Sequence, residues 1–313
     1  MTTLTEPAVA ARPVQRRAMR VLLSNPKVLA GLGILAFFTL LTFAQPLLEA
    51  TLWSGRHQLY DPQFGYDTTI AHPSSPSAIH WLGTSSLGRD VFSMLVFATR
   101  PTFLVALAAA SSIAAVSLAL GSTAAYRKGW VDGFVSHLSD AMVLLPAMVA
   151  VFILGIGRPN EVFGAVHVGL SFGVIYGLGP AVATVRAAAL TVVARPFMDA
   201  ARVAGGGGPW IVTRHILPHV YPYAAVQAMI GATGAVIADA FLSFRSAVGE
   251  EVGFGMMVYD GIVWSSLMAG IAPTPWWIML AGAGGITLLA AAFYLLGVGL
   301  RDALDPRSGS VLR

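Results

Sequence analysis

The sequence predicts an all-α integral membrane protein of about six transmembrane helices, with both termini on the cytoplasmic side. Three observations carry this. Of the 313 residues, 56% are hydrophobic and only 11% are charged, whereas a soluble domain carries about 25% charged residues and could not hide so much apolar surface in one core. Six separate runs reach the roughly 20 mainly apolar residues that a spanning helix needs. The basic residues also divide unevenly between the two sides that those runs define. Six spans put both ends on one side, and 14 of the 19 Lys and Arg residues fall there, which the positive-inside rule makes the cytoplasm.

The first run, 28–48, contains no charged residue and follows a tail, 1–27, that carries Arg12, Arg16, Arg17, Arg20 and Lys27. A signal peptide has an apolar region of only about 7–15 residues followed by a small-residue cleavage site; this run is longer and no such site follows. Arg16-Arg17 is a weak twin-arginine lookalike. Residues 49–99 read as a long polar loop on the outer side, rich in turn formers such as Tyr60-Asp61-Pro62 and His72-Pro73-Ser74-Ser75-Pro76. The second span is 101–126, closed by Arg127-Lys128-Gly129-Trp130. The third is 134–157, with Pro146 tolerated inside it because neighbours can satisfy the freed carbonyl.

The fourth span is 162–185. Gly169, Gly173 and Gly177 recur along it every four residues, a spacing that lets a neighbouring helix come close. A cytoplasmic loop, 195–218, leads to the fifth span, 220–241. A second outer loop, 242–275, leads to the sixth, 276–300, which opens on Trp276-Trp277 at the water–lipid interface. Residues 100–300 thus form a core of five spans, and 301–313 a cytoplasmic tail.

Several chemistries are excluded. There are no cysteines, hence no disulfide, thiolate nucleophile or Cys-ligated metal within this chain. The run Gly205 to Gly208 is followed by Pro209-Trp210 and lacks the lysine of a phosphate-binding loop. Neither a His-Glu-x-x-His nor a Gly-x-Ser-x-Gly pattern occurs, so a membrane hydrolase fits poorly and no metal site is expected. The net charge of +4 is spread along the chain, unlike a nucleic-acid-binding stripe.

Ionisable groups inside a membrane are costly and merit a functional hypothesis. The candidates are His137, Asp140, His167, Arg186 and Asp239. Asp140 and His137 sit near the cytoplasmic end of span three, and Arg186 ends span four, where a long side chain reaches the interface. Asp239 lies late in span five, as a path-lining group or as a helix-end acid reaching water. Asp140, Asp239, Phe241 and Phe244 are the candidates for the translocation path. A proton-coupled secondary transporter using Asp140, His167 or Asp239 is the alternative; such proteins are often built of internal repeats, and none is visible. Glu250-Glu251 reads as a solvated loop pair.

The informative segment is the loop between spans four and five: Asp199-Ala200-Ala201-Arg202-Val203-Ala204-Gly205, then Arg214-His215-Ile216-Leu217-Pro218. An Ala-rich helix ends at a glycine suited to a left-handed C-cap. A second stretch, 210–217, mixes aromatic and branched residues with Arg214 and His215, and Pro218 precedes the next span. This helix–turn–helix is too polar to cross a membrane and too apolar to float free, which marks a docking element.

The spacing of Asp199, Ala200, Ala201, Gly205, Ile216, Leu217 and Pro218 resembles the "EAA" loop of bacterial ABC importer permeases. Similarity extends through Asn25-Pro26, Tyr60-Asp61-Pro62, His80-Trp81-Leu82-Gly83-Thr84, Leu87-Gly88-Arg89-Asp90-Val91, Gly129-Trp130-Val131-Asp132, Leu242-Ser243-Phe244 and the closing Leu300-Arg301-Asp302-Ala303-Leu304-Asp305-Pro306-Arg307. The chain resembles the C-type permease of dipeptide, oligopeptide and nickel importers. That resemblance implies a type I ABC importer transmembrane fold in the bacterial inner membrane. It also implies a second permease subunit as heterodimer partner, an extracytoplasmic substrate-binding protein, and two ATPase subunits that carry ATP and Mg, with no cofactor on this chain. The loop then seats an ATPase through Asp199, Ala200, Ala201, Arg202, Gly205, Arg214, Ile216, Leu217 and Pro218. Three features depart from the family pattern: aspartate in place of glutamate at 199, four consecutive glycines, and Arg245-Ser246 with Glu250-Glu251 after Phe244.

Overall fold

A computed structural model describes residues 24–51, 53–155, 164–245, 252–269 and 274–304. Among them the regular structure is helical; the sole strand-like pairing is an isolated bridge between Thr84 and Asp90. Five helical stretches are long and apolar enough to cross a membrane, and a sharply bent pair makes a sixth.

Helix α1 (Pro26–Ala50) starts where Asn25 accepts a hydrogen bond from the Lys27 amide and Pro26 presets the first turn. It presents Leu29, Phe37, Leu40, Phe43 and Leu47 outward and buries only Val28, Gly31 and Phe38. It packs mainly along the last long helix: a Cβ at Gly31 would lie 2.8 Å from the Ala292 carbonyl. Lys27 pairs with Asp302 at 2.7 Å at one end of that contact.

After the short helix α2 (His57–Tyr60) comes α3 (Val91–Arg127). It begins ten residues before the expected second span, within the stretch assigned to the outer loop. Asp90 caps it by accepting from the Ser93 amide, and Pro101 is carried inside. Arg100 interrupts the uncharged run and so hid this first part. With 37 residues, α3 is about 55 Å long and forms the centre of the bundle. The glycines every four residues lie against it. A Cβ at Gly173 would sit 2.6 Å from the Ala109 carbonyl, and one at Gly177 3.1 Å from the Val116 Cβ.

The expected third span is two helices, α4 (Gly129–Leu144) and α5 (Ala147–Gly155), which meet at 81°. Pro146 breaks the helix rather than riding inside it. The residue before a proline is pushed out of the helical region, and Leu145 takes φ −84° and ψ 116°. The fourth span comprises α6 (Ala165–Tyr176), a π turn (Gly177–Ala181) and α7 (Val182–Val193). It continues past Arg186, which therefore does not end it. The π turn surrounds Pro180, and the buried Ser139 hydroxyl donates to the Gly179 carbonyl at 2.7 Å.

Two short elements follow, α8 (Pro196–Val203) and α9 (Gly208–Ile211). A π turn (Val212–Ile216) joins α9 directly to α10 (Leu217–Arg245), so the second half of the expected helix–turn–helix is the first part of the fifth span. Pro218 lies inside this path rather than at its start; the wider turn before it accommodates a residue without an N–H.

Helix α11 (Phe254–Leu267) occupies the expected outer loop 242–275. Its 14 residues make about 21 Å, too short for the roughly 30 Å hydrocarbon core. Gly282 and Gly285 of α12 (Trp276–Leu304) let Phe254 pack tightly between the two helices. Arg12, Arg16, Arg17, Arg20, Ser246, Glu250, Glu251, Asp305, Pro306 and Arg307 lie outside the described residues.

Candidate functional site

Two polar segments occupy opposite ends of the bundle. At one end α8 stops in a double hydrogen bond: the Gly205 amide donates to the Arg202 carbonyl at 3.0 Å and the Gly206 amide to the Ala201 carbonyl at 3.1 Å. This is the Schellman arrangement, which needs a left-handed residue at the turn, and Gly205 has φ +82°. A Cβ at Gly205 would meet nothing within 4 Å, so the constraint there is backbone strain alone. Gly206 has no such room, since its Cβ would lie 2.9 Å from the Ala201 carbonyl.

The cap orients α8. Met198 is fully buried among Val192, Ile211 and Ile216. The opposite side presents Asp199, Ala200 and Val203, with Val203 90% exposed. Arg202 bonds Asp199 at 2.7 Å and lies 5.9 Å from the Tyr126 ring at the foot of α3. That ion pair is solvent-facing, and such pairs contribute about 0–1 kcal/mol. Arg214 and Pro218 are exposed, Ala201 and Leu217 are half-buried, and Ile216 is fully buried. The coupling candidates therefore separate into an outward set around Asp199, Ala200, Arg214 and Pro218, and inner residues, above all Ile216, that hold the segment to the bundle.

The same end holds a partner for Arg186. Rather than reaching solvent alone, its guanidinium grips Asp132 through two bonds, Nε–Oδ1 at 2.5 Å and Nη2–Oδ2 at 2.7 Å. This bidentate pair ties α4 to α7. Asp132 belongs to the Gly129–Asp132 stretch, yet 54 residues of sequence separation hid the pair.

The path candidates are not brought together. Asp140 is exposed on α4 and His167 on α6. Asp239 is half-buried on α10 and accepts from Thr102 of α3 at 2.7 Å, so it joins two core helices. Phe241 tilts against Phe152 with ring centroids 5.4 Å apart, and Phe244 meets Tyr259 of α11 edge-on at 5.1 Å. His137 is exposed.

At the other end, residues 53–90 fold on themselves. His80 is 1% exposed and stands between two buried carboxylates, with Nδ1 2.8 Å from Asp90 and Nε2 3.3 Å from Asp67. The Asp90 hydrogen bond, with help from Asp67, raises His80 above the ordinary imidazole value against the opposing effect of burial. Asp67 is held below the ordinary carboxylate value first by the Thr69 hydroxyl and amide, then by His80. Gly83 and Gly88 take positive φ, where a side chain would strike Trp277 or Tyr66. The segment is fastened to the helices beneath it: Trp277 donates to the Thr84 carbonyl at 3.2 Å, and Ser86 bonds the Asp260 carboxylate of α11 through both hydroxyl and amide. His80 and Asp90 both fall in recognisable stretches, but their pairing was not legible from them.

Comparison with known proteins covers nearly the whole chain. Residues 117–309 match the family described as binding-protein-dependent transport system inner membrane component. The chain is 31% identical over 306 residues to the probable peptide ABC transporter permease protein y4tQ of Sinorhizobium fredii, covering 96% of this chain and 95% of that one. It is 28% identical to the dipeptide transport system permease protein DppC of Alkalihalophilus pseudofirmus, over 94% of this chain and 90% of that one. It is 30% identical to the glutathione transport system permease protein GsiD of Pectobacterium atrosepticum, over 92% and 89%.

Proposed function

The chain belongs to the family of binding-protein-dependent transport system inner membrane components, and on that footing we propose that it is the permease half of a peptide importer, driven through the outward face of α8. The observation that carries this reading is the capped α8, which buries Met198 and leaves Asp199, Ala200 and Val203 without cover. A short helix held so firmly, with an apolar residue 90% exposed at its tip, suits a groove on a partner. In this reading the partner is an ATPase subunit, which carries the ATP and Mg; this chain performs no hydrolysis.

Two ATPases that close on ATP draw two such helices together, one from this chain and one from a second permease subunit. Met198 packs against residues of α7 and α10, so a displaced α8 carries its bundle with it. A differential affinity of the closed ATPases for one arrangement then shifts the membrane helices between outward and inward openings. The basic asymmetry supports a reading in which α8 and both termini lie in the cytoplasm and residues 53–90 lie outside, where a substrate-binding protein delivers cargo. Short peptides are the cargo favoured by the relatives' names, glutathione among them.

The test is Val203→Asp in the assembled transporter. Val203 makes little contact within the chain, so the variant is expected in the membrane at normal amounts. Loss of a central interface anchor costs about 2 kcal/mol or more, enough to cut ATPase co-purification and peptide uptake by at least about tenfold. Normal co-purification and uptake would remove α8 as the docking element.

A further inference from the structure

A pocket of about 160 Å³ opens where α1 ends. It is lined by Leu48 of α1, Trp53, Arg56 and Tyr60 of the connection, and Trp81 and Phe92 beyond. The walls pack against one another. Trp53 stacks on Tyr60 with centroids 6.0 Å apart, Phe92 stands edge-on to Trp53 at 6.5 Å and tilts against Trp81 at 5.3 Å, and the Tyr60 hydroxyl donates to the Ile79 carbonyl at 3.0 Å. None of this serves α8 at the opposite end of the bundle or the Asp239 contact between core helices.

Three features define the ligand. Arg56 is exposed and has no ion pair or hydrogen-bonded acceptor for its side chain among the described residues. A guanidinium presents a planar fork of donors that fits phosphate oxygens. The aromatic ring around it matches the composition of a protein surface at the level of lipid headgroups. The pocket also continues the outward strip of α1, where Leu40, Phe43 and Leu47 are 70%, 72% and 64% exposed. An acyl chain laid along that strip would end at the pocket mouth. Asp90 also lines the pocket, but it is 1% exposed and committed to His80 and to the cap of α3.

We propose that this pocket binds the phosphate-bearing headgroup of one membrane phospholipid, its phosphate on Arg56 and its chains along α1. The bound lipid braces the junction between the first helix and residues 53–90. A peptide is a poorer occupant, since the site sits against the lipid-facing helix at the rim of the bundle, away from the central helix contacts.

The experiment uses the assembled transporter in proteoliposomes doped with a phospholipid that carries a photoreactive group near its glycerol end. After illumination, labelled peptides are mapped. Wild type is expected to label within residues 47–60. Arg56→Ala should lower that labelling about tenfold, the loss of one charge-assisted contact of about 1.4 kcal/mol. Arg100→Ala, which removes an exposed cation from α3, should leave it unchanged. Because Arg56 is exposed, its truncation carries little folding risk, and unaltered uptake confirms an intact assembly. Equal labelling of wild type and Arg56→Ala overturns the proposal. So does displacement of the label by millimolar inorganic phosphate, which would assign the pocket to a free anion.

Discussion

The two polar segments of this molecule solve opposite problems. Apart from Arg56 at the rim, residues 53–90 turn their polar groups inward: His80 lies between Asp67 and Asp90, His72 spans the Asp67 carbonyl and the Thr84 hydroxyl, and Trp277 reaches in to close the Thr84 carbonyl. Residues 196–216 do the reverse. Their backbone is closed by the glycine cap, while Asp199, Ala200, Val203 and Arg214 face outward. A segment that satisfies itself is part of the scaffold; one that fixes its backbone and leaves a face uncovered is built for a partner.

The strongest way to break this contrast is His80→Ala. It leaves Asp67 and Asp90 buried and facing each other without a donor between them. Removing one member of a buried charged set costs roughly 3–5 kcal/mol. Amide exchange across residues 67–93 should accelerate by two orders of magnitude or more, while residues 196–216 exchange as before. Equal exchange in both proteins would mean that residues 53–90 do not depend on their charge cluster.

A smaller effect separates the two roles of Gly205. Nothing surrounds its would-be Cβ, so Gly205→Ala carries only the strain of a left-handed backbone, about 1 kcal/mol. It should retain most uptake. Gly205→Glu adds bulk and charge toward the partner, and should lose uptake and ATPase co-purification while remaining in the membrane. Identical behaviour of the two variants would assign the loss to strain rather than to docking.

The smallest effect is set by pH. His80 is raised in the folded protein, so its contribution is full below the ordinary imidazole value of about 6.5 and fades as pH rises through the raised value. Asp67 is lowered, so its contribution is present above about 3.9 and is lost only as pH falls below that. Exchange of residues 67–93 should therefore quicken as pH climbs from about 6 into the alkaline range, after correction for intrinsic rates. His80→Ala should abolish that dependence, and residues 196–216 should not show it.

What the sequence discloses follows how local each signal is. Apolar runs are contiguous, so the spans are legible, as is a glycine that ends a helix at Gly205. The break at Leu145 was not, because prolines such as Pro46 and Pro222 sit inside intact helices of the same chain. Helix α11 was missed because its 14 residues fall below spanning length, although Phe254, Met256 and Met257 are buried. The Asp67–His80–Asp90 cluster and the Asp132–Arg186 pair join residues 10 to 54 positions apart, with no periodicity to betray them. Within the candidate site, the outward residues of α8 and the buried Ile216 belong to one motif, and only packing against Met198 and Ile211 separates them.

Helix α3 begins at its cap Asp90, inside the charge cluster of residues 53–90, and ends beside Tyr126, under Arg202 of α8. It is a single strut about 55 Å long, and its two ends are fastened to the two contrasting segments. In mechanical language it is a pushrod. A tilt of about 5° pivoted at one end carries the other through about 5 Å, roughly the pitch of one helical turn. A displacement of α8 and a change of shape around residues 53–90 would then be two readings of one movement.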